Sequence, residues 1–97
     1  MSAEAVRRAR ERLAAPGANL RCKDAVRILE KLGFRVRAGK KQGHMVVTHP
    51  GVQDFVGAGF TCGHGRNPEI RPVYVRQLAT IIQNHEDALV AYLRTLQ

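Results

Sequence analysis

Tryptophan is absent from these 97 residues, and two Tyr and three Phe are too few for a surface that grips nucleic acid by stacking its bases. Long apolar runs are missing as well. No stretch approaches the roughly 18 residues of a membrane span, and the Arg- and Ala-rich opening window lacks the apolar run of a secretory signal, so neither a membrane nor an export route is expected. Cysteine is limited to Cys22 and Cys62. A single pair is too little for a disulfide framework, and two reduced thiols in a cytoplasmic protein are the expectation. The sequence also has no Walker loop, no G-x-S-x-G elbow and no carboxylate pair set for general acid and base work, which removes several hydrolase classes.

Positive charge, by contrast, is abundant. Sixteen Lys and Arg against eight Asp and Glu give a net charge of +8. Residues 1–50 carry twelve of the basic and four of the acidic side chains, and residues 51–97 carry four of each, so the whole excess lies in the first half. Arg35, Arg37, Lys40 and Lys41 crowd into seven residues without an acid between them. Such a local field attracts phosphates, and a polyanionic partner is implied.

Ninety-seven residues suffice for one hydrophobic core, and 44% apolar with 25% charged residues is ordinary globular composition. The spacing predicts a helix over residues 3–14, with Ser2 as cap, a thin stripe of Val6, Ala9 and Leu13, and Pro16-Gly17 as stop. A second helix is expected from Lys23 to Leu32, with Ala25, Ile28, Leu29 and Leu32 as its buried stripe and Gly33 as its left-handed cap. The period then changes to alternation. Phe34, Val36 and Ala38 share one face and Arg35 and Arg37 the other; a turn over residues 39–43 leads into a strand from His44 to His49. In that strand His44 and His49 fall on opposite faces, so at least one is presented to solvent. A short third strand is expected around Gly59 to Cys62. A helix opened by Pro72 or Val73 follows, with Asn84 and Asp87 at capping spacing, as in two consecutive helices. The sum is an α+β fold: a small antiparallel three-stranded sheet with helices packed on one face, an extra N-terminal helix and an extended C-terminal helical segment.

RNA carries its own nucleophile, because a 2′-hydroxyl lies beside the phosphodiester it attacks. A ribonuclease therefore needs little beyond a proton acceptor, charge stabilisation and alignment. His44 suits the first role, since imidazole titrates near neutrality, and the cationic turn that ends at Gly43 places Lys40 and Lys41 where a phosphate would sit. Arg35 and Arg37 extend the track. His64, flanked by Gly63 and Gly65, is a second catalytic candidate; His85 reads as a packing residue. His49, Cys62 and His64 raise the alternative of a zinc-stabilised adaptor, but the spacing is loose and no finger-type pair is present, so no metal and no cofactor are assigned.

The segments Cys22 to Gly33-Phe34, Lys41-Gln42-Gly43-His44-Met45-Val46, His49-Pro50, Gly63-His64-Gly65 through Glu69-Ile70-Arg71-Pro72, and Val75-Arg76-Gln77-Leu78 resemble the HicA toxin family over roughly residues 20–83. The resemblance implies a fold like a double-stranded-RNA-binding domain with an α-β-β-β-α core. It also implies ribonuclease activity on messenger RNA and a cognate HicB-like antitoxin that covers the active surface. It places the catalytic histidine at His44. Gln42-Gly43-His44 stands where the family has Gly-Ser-His, so the serine hydroxyl is lost, and a non-catalytic RNA-binding module is the alternative. On this reading residues 1–97 form one domain: 1–17 an accessory helix, 20–83 the HicA-like core and 84–97 a C-terminal extension.

Overall fold

The computed structural model describes residues 2–15 and 20–96, and the stop expected at Pro16-Gly17 lies outside them. In chain order the elements are α1 (Ser2–Ala14), α2 (Cys22–Lys31), β1 (Arg35–Ala38), β2 (His44–Thr48), β3 (Ala58–Thr61), α3 (Pro72–Asn84) and α4 (Glu86–Thr95). The α+β class and the antiparallel sheet, in the order β1-β2-β3, agree with the expectation. Among the described residues no helix is long and apolar enough to cross a membrane.

Local chemistry fixes where α2 begins and ends. At its start the Asp24 carboxylate accepts the Arg21 backbone N–H at 3.1 Å, an acidic cap one turn in. At its end the Gly33 N–H donates to Glu30 O and the Phe34 N–H to Leu29 O. Gly33 takes φ +93°, so the helix closes in a Schellman turn that only glycine adopts without strain. The turn drives Phe34 into the core beside Leu29, and the chain enters β1 with Arg35 already outside.

The core lies between one face of the sheet and the helices. Phe60, Leu29, Leu32, Leu78, Ile82, Leu89, Val6 and Val47 are its largest fully buried side chains, each contributing about 1.5–3 kcal/mol by removal from water. α1 was expected to be accessory because its apolar stripe is thin. It packs against both α3 and α4, and Val6 has no exposed surface. Ser2, expected as its cap, lies in its first turn and is buried. α3 opens on Pro72 as expected, and one residue, His85, separates it from α4, so the C-terminal segment is two helices with the break at His85 rather than at an Asn84 cap.

His49 is a half-buried polar residue at the edge of the core. Its ring stands edge-on between Phe34 and Tyr92, at centroid distances of 4.8 and 4.7 Å. Nδ1 accepts the Gly51 N–H, which obliges Nε2 to carry the proton that it donates to Leu32 O. The ring is thereby held neutral. Burial, and then the charges of Arg35 and His85, push its pKa below the ordinary histidine value, outweighing the bond to Leu32 O.

The two cysteines overturn the expectation of free thiols. Cys22 and Cys62 are joined by a disulfide, with Cα atoms 5.8 Å apart, and both are buried. They are separated by 40 positions in the sequence, and only the fold, by seating the start of α2 against the end of β3, makes them neighbours. Two cysteines cannot build a framework, but they can make one staple. Joined in this way, the cysteines do not point to a reducing, cytoplasmic setting.

Two outcomes follow. Unfolded chains protonate His49 below about pH 6.5 whereas the folded ring resists protonation, so its contribution is intact above that pH and is lost as pH falls towards the lower folded value. Melting temperature should therefore drop more steeply between about pH 7 and pH 5 in the wild type than in His49→Gln, and parallel curves would assign the acid response elsewhere. Second, protein unfolded without reductant should titrate no free thiol, and replacing both cysteines by Ala should cost about 4 kcal/mol for a closed loop of this length. Two titratable thiols in the untreated protein would dispose of the staple.

Candidate functional site

Strand alternation decides what reaches the uncovered side of the sheet. Val47 is completely buried and Phe60, which pairs with Met45, nearly so. The residues between them must point the other way. The register sets Arg35 opposite Thr48, Arg37 opposite Val46, His44 opposite Thr61 and Val46 opposite Gly59, all on the open face. The hairpin closes through the Gly39 N–H donating to His44 O at 2.7 Å and the His44 N–H donating to Lys41 O at 3.1 Å. The cationic tip is thus tied to the backbone of the histidine itself.

A shallow cavity of about 750 Å³ lies on this face. Arg37, Lys40 and Lys41 supply its charge, the cross-strand neighbours His44 and Thr61 line it side by side, and Ala38, Gly39 and Val46 complete its wall. No carboxylate lines it. Among the described residues neither His44 nor any of the three cations has an ion pair or side-chain hydrogen bond.

The His44 ring is held by shape. A Cβ on Gly59 would come within 2.9 Å of its Cε1 and 3.2 Å of its Nε2, and one on Gly39 within 2.6 Å of its Cδ2. The imidazole therefore lies in a slot that exists because Gly59 of β3 and Gly39, just past the end of β1, carry no side chain. Its half-buried ring keeps contact with the open cavity. With both ring nitrogens unclaimed among the described residues, it is chemically free in the way that His49, bonded at both, is not.

Of the residues expected to act, the structure brings Arg37, Lys40, Lys41 and His44 together. Arg35 lies on the same face, exposed and opposite Thr48, but outside the cavity. Gly43 does not line the cavity. It takes φ +81°, and a Cβ there would stand 2.9 Å from Cys62 O, whose own N–H donates to Gly43 O. His64 is exposed on the loop after Cys62 and does not line the cavity. His85 packs edge-on against Phe55 at 5.6 Å, as a packing residue does. The sulfur of Cys62 is consumed by the disulfide and both nitrogens of His49 by backbone partners, so the zinc set read from the sequence is not assembled. Among the described residues no group of three or more His, Cys, Asp or Glu could hold a metal ion.

Sequence reasoning missed Thr61. It is the cavity's one hydroxyl side chain, and its position became legible only through the pairing of β2 with β3. No protein-family model, no curated protein and no solved structure matches this chain.

Proposed function

We propose that this protein is a metal-independent endoribonuclease, a HicA-like messenger RNA interferase that cleaves by histidine acid–base chemistry. On this reading α2, β1, β2, β3 and α3 form a core like a double-stranded-RNA-binding domain. The protein works in the cytoplasm, where messenger RNA is, and a HicB-like antitoxin silences it by covering the open face. One observation carries the proposal: an imidazole with no partner of its own stands in a carboxylate-free cavity among Arg37, Lys40 and Lys41.

The chemistry follows from that arrangement. The cations hold the scissile phosphate and offset the charge that grows on it. The RNA 2′ oxygen attacks phosphorus as its proton passes to a nitrogen of His44, the P–O2′ bond forms, and the P–O5′ bond breaks. The departing 5′ oxygen takes a proton from the imidazolium or from water, leaving a 2′,3′-cyclic phosphate and a 5′-hydroxyl. Thr61, opposite His44, is placed to donate a hydrogen bond to a non-bridging phosphoryl oxygen. With few aromatics in the chain, affinity is electrostatic rather than built on stacking.

A second reading, a non-catalytic RNA-binding module on the same face, draws on position 43. The left-handed backbone there and the close approach of Cys62 O exclude the serine found in the family pattern. The hydroxyl that the serine would bring is absent, and Thr61 is the group nearest in kind.

Incubating purified protein with RNA in excess chelator separates the two readings, because the enzyme shortens the strand and the module does not. His44→Ala should lower turnover on the order of 10²- to 10⁴-fold with RNA affinity nearly unchanged. Equal cleavage by that variant would take the role from His44, and intact RNA with the wild type would leave the binding module. Thr61→Val, which keeps the branched shape and deletes the hydroxyl, should reduce turnover about 10- to 100-fold, with Thr61→Ser restoring most of it. Wild-type rates in the valine variant would remove the hydroxyl from the mechanism.

A further inference from the structure

The chain's cations divide into those that have a carboxylate and those that do not. Arg7 and Arg8 sit with Glu4, Arg10 with Glu86 and Arg21 with Glu69. The concave surfaces divide in the same way. The groove between α1 and α4 balances Arg7, Arg10 and Arg94 against Glu4, Glu86 and Asp87. The hollow beside the α3–α4 junction carries Asp54, Glu86 and Asp87 without a Lys or Arg. Among the described residues the His44 cavity and a second hollow of about 350 Å³ between α1 and α2 have cationic walls and no acid.

Arg8, Arg12 and Lys31 rim that second hollow, and Ile28 and Leu32 are part of its floor. Arg8 shares Glu4, but Arg12 and Lys31 have no ion pair among the described residues. Lys31 is also the last rung of a ladder. Lys23, Arg27 and Lys31 recur every fourth residue along α2, all exposed, which sets them about 6 Å apart in rise, close to the step between phosphates of an extended strand. Asp24, the acid nearest the first rung, is turned to the Arg21 backbone, and Glu30 makes no ion pair with the ladder. A helix face that served solubility alone would interleave both signs, as α1 does around Glu4.

We propose that the ridge from Lys23 through Arg27 and Lys31 to Arg12 is a second seat for the RNA phosphate backbone. It lies on the helical side of the domain, away from the open sheet face that carries His44. The inference rests on the RNA-binding part of the reading above, not on cleavage. β1 is an edge strand and α2 packs against it, so the two surfaces meet at that edge. A strand long enough to turn the edge engages both seats, and its second contact is made at the high effective concentration that tethering gives. A short strand fills the cavity alone.

The test uses 2′-O-methyl RNA, which cannot be cleaved, at lengths of about 8 and about 30 nucleotides, with binding followed by anisotropy over a range of salt. Arg12→Ala/Arg27→Ala/Lys31→Ala should bind the long RNA at least about tenfold more weakly. Its log-affinity slope against log salt should be shallower by about 2, the contribution of three phosphate contacts on single strands, while the short RNA is bound as by the wild type. A melting curve checks the fold, and Lys23→Gln/Arg27→Gln/Lys31→Gln, which keeps helix propensity, serves as a second variant. Unchanged affinity and slope on long RNA in both variants would overturn the ridge. So would a loss seen on anionic vesicles and not on RNA, which would make it a membrane-facing surface. Arg37→Ala/Lys40→Ala/Lys41→Ala in the same assay keeps the two seats apart: if that variant binds both lengths like the wild type, the cavity reading fails while the ridge is judged on its own slope.

Discussion

Burial of Val47 governs the rest of the molecule. A strand has two faces, and once Val47 is sealed against the helices with Phe60 on the neighbouring strand, His44, Val46 and Thr61 have no choice of side. A one-residue slip of β2 would carry a valine out to solvent and the imidazole into an apolar interior, at the cost of both burial and an unsatisfied polar ring. The position of the proposed chemistry is therefore a by-product of core packing, and it is as secure as the core. The two histidines of this segment illustrate the division: His49 is locked by Leu32 and Gly51 at both nitrogens, whereas His44 has its ring fixed by two glycines and its nitrogens left available.

Much of this could be read from the sequence, for reasons that are local. The stripe of α2, its glycine cap, the alternation around Arg35 and Arg37 and the proline that opens α3 are all set by near neighbours in the chain, and the structure reproduces them within a residue or two. The grouping of Lys40, Lys41 and Arg37 with His44 was legible because a hairpin brings residues together at short range. What could not be read depends on contacts between distant segments. Thr61 enters the cavity through the β2–β3 register, Cys22 meets Cys62 only when α2 is laid against the end of β3, and the thin stripe of α1 gave no sign that two later helices would close over Val6. His64 stood out for its glycine neighbours, and those serve a solvent-exposed loop rather than the cavity.

The charge pattern has a structural counterpart. The acids among the first fifty residues are Glu4, Glu11, Asp24 and Glu30. Glu4 is committed to α1 and Asp24 to the cap of α2, and none of the four lines the His44 cavity or the hollow between α1 and α2. Arg37, Lys40 and Lys41 in the one and Arg8, Arg12 and Lys31 in the other thus stand in concave surfaces with no acid in their walls, where a low-dielectric surround strengthens their field.

The single-residue joint at His85 has a bearing on how the chain assembles. It sends α4 back so that the last helix and the first lie against each other, with α3 on the other flank of α1. α1 thus finds cover for its apolar stripe only against α3 and α4, far along the chain, whereas the cap of α2 and the closure of the hairpin are made between near neighbours. The bonds that close the phosphate-attracting tip lie within residues 39–44, while the helical layer is held by contacts that span most of the described chain.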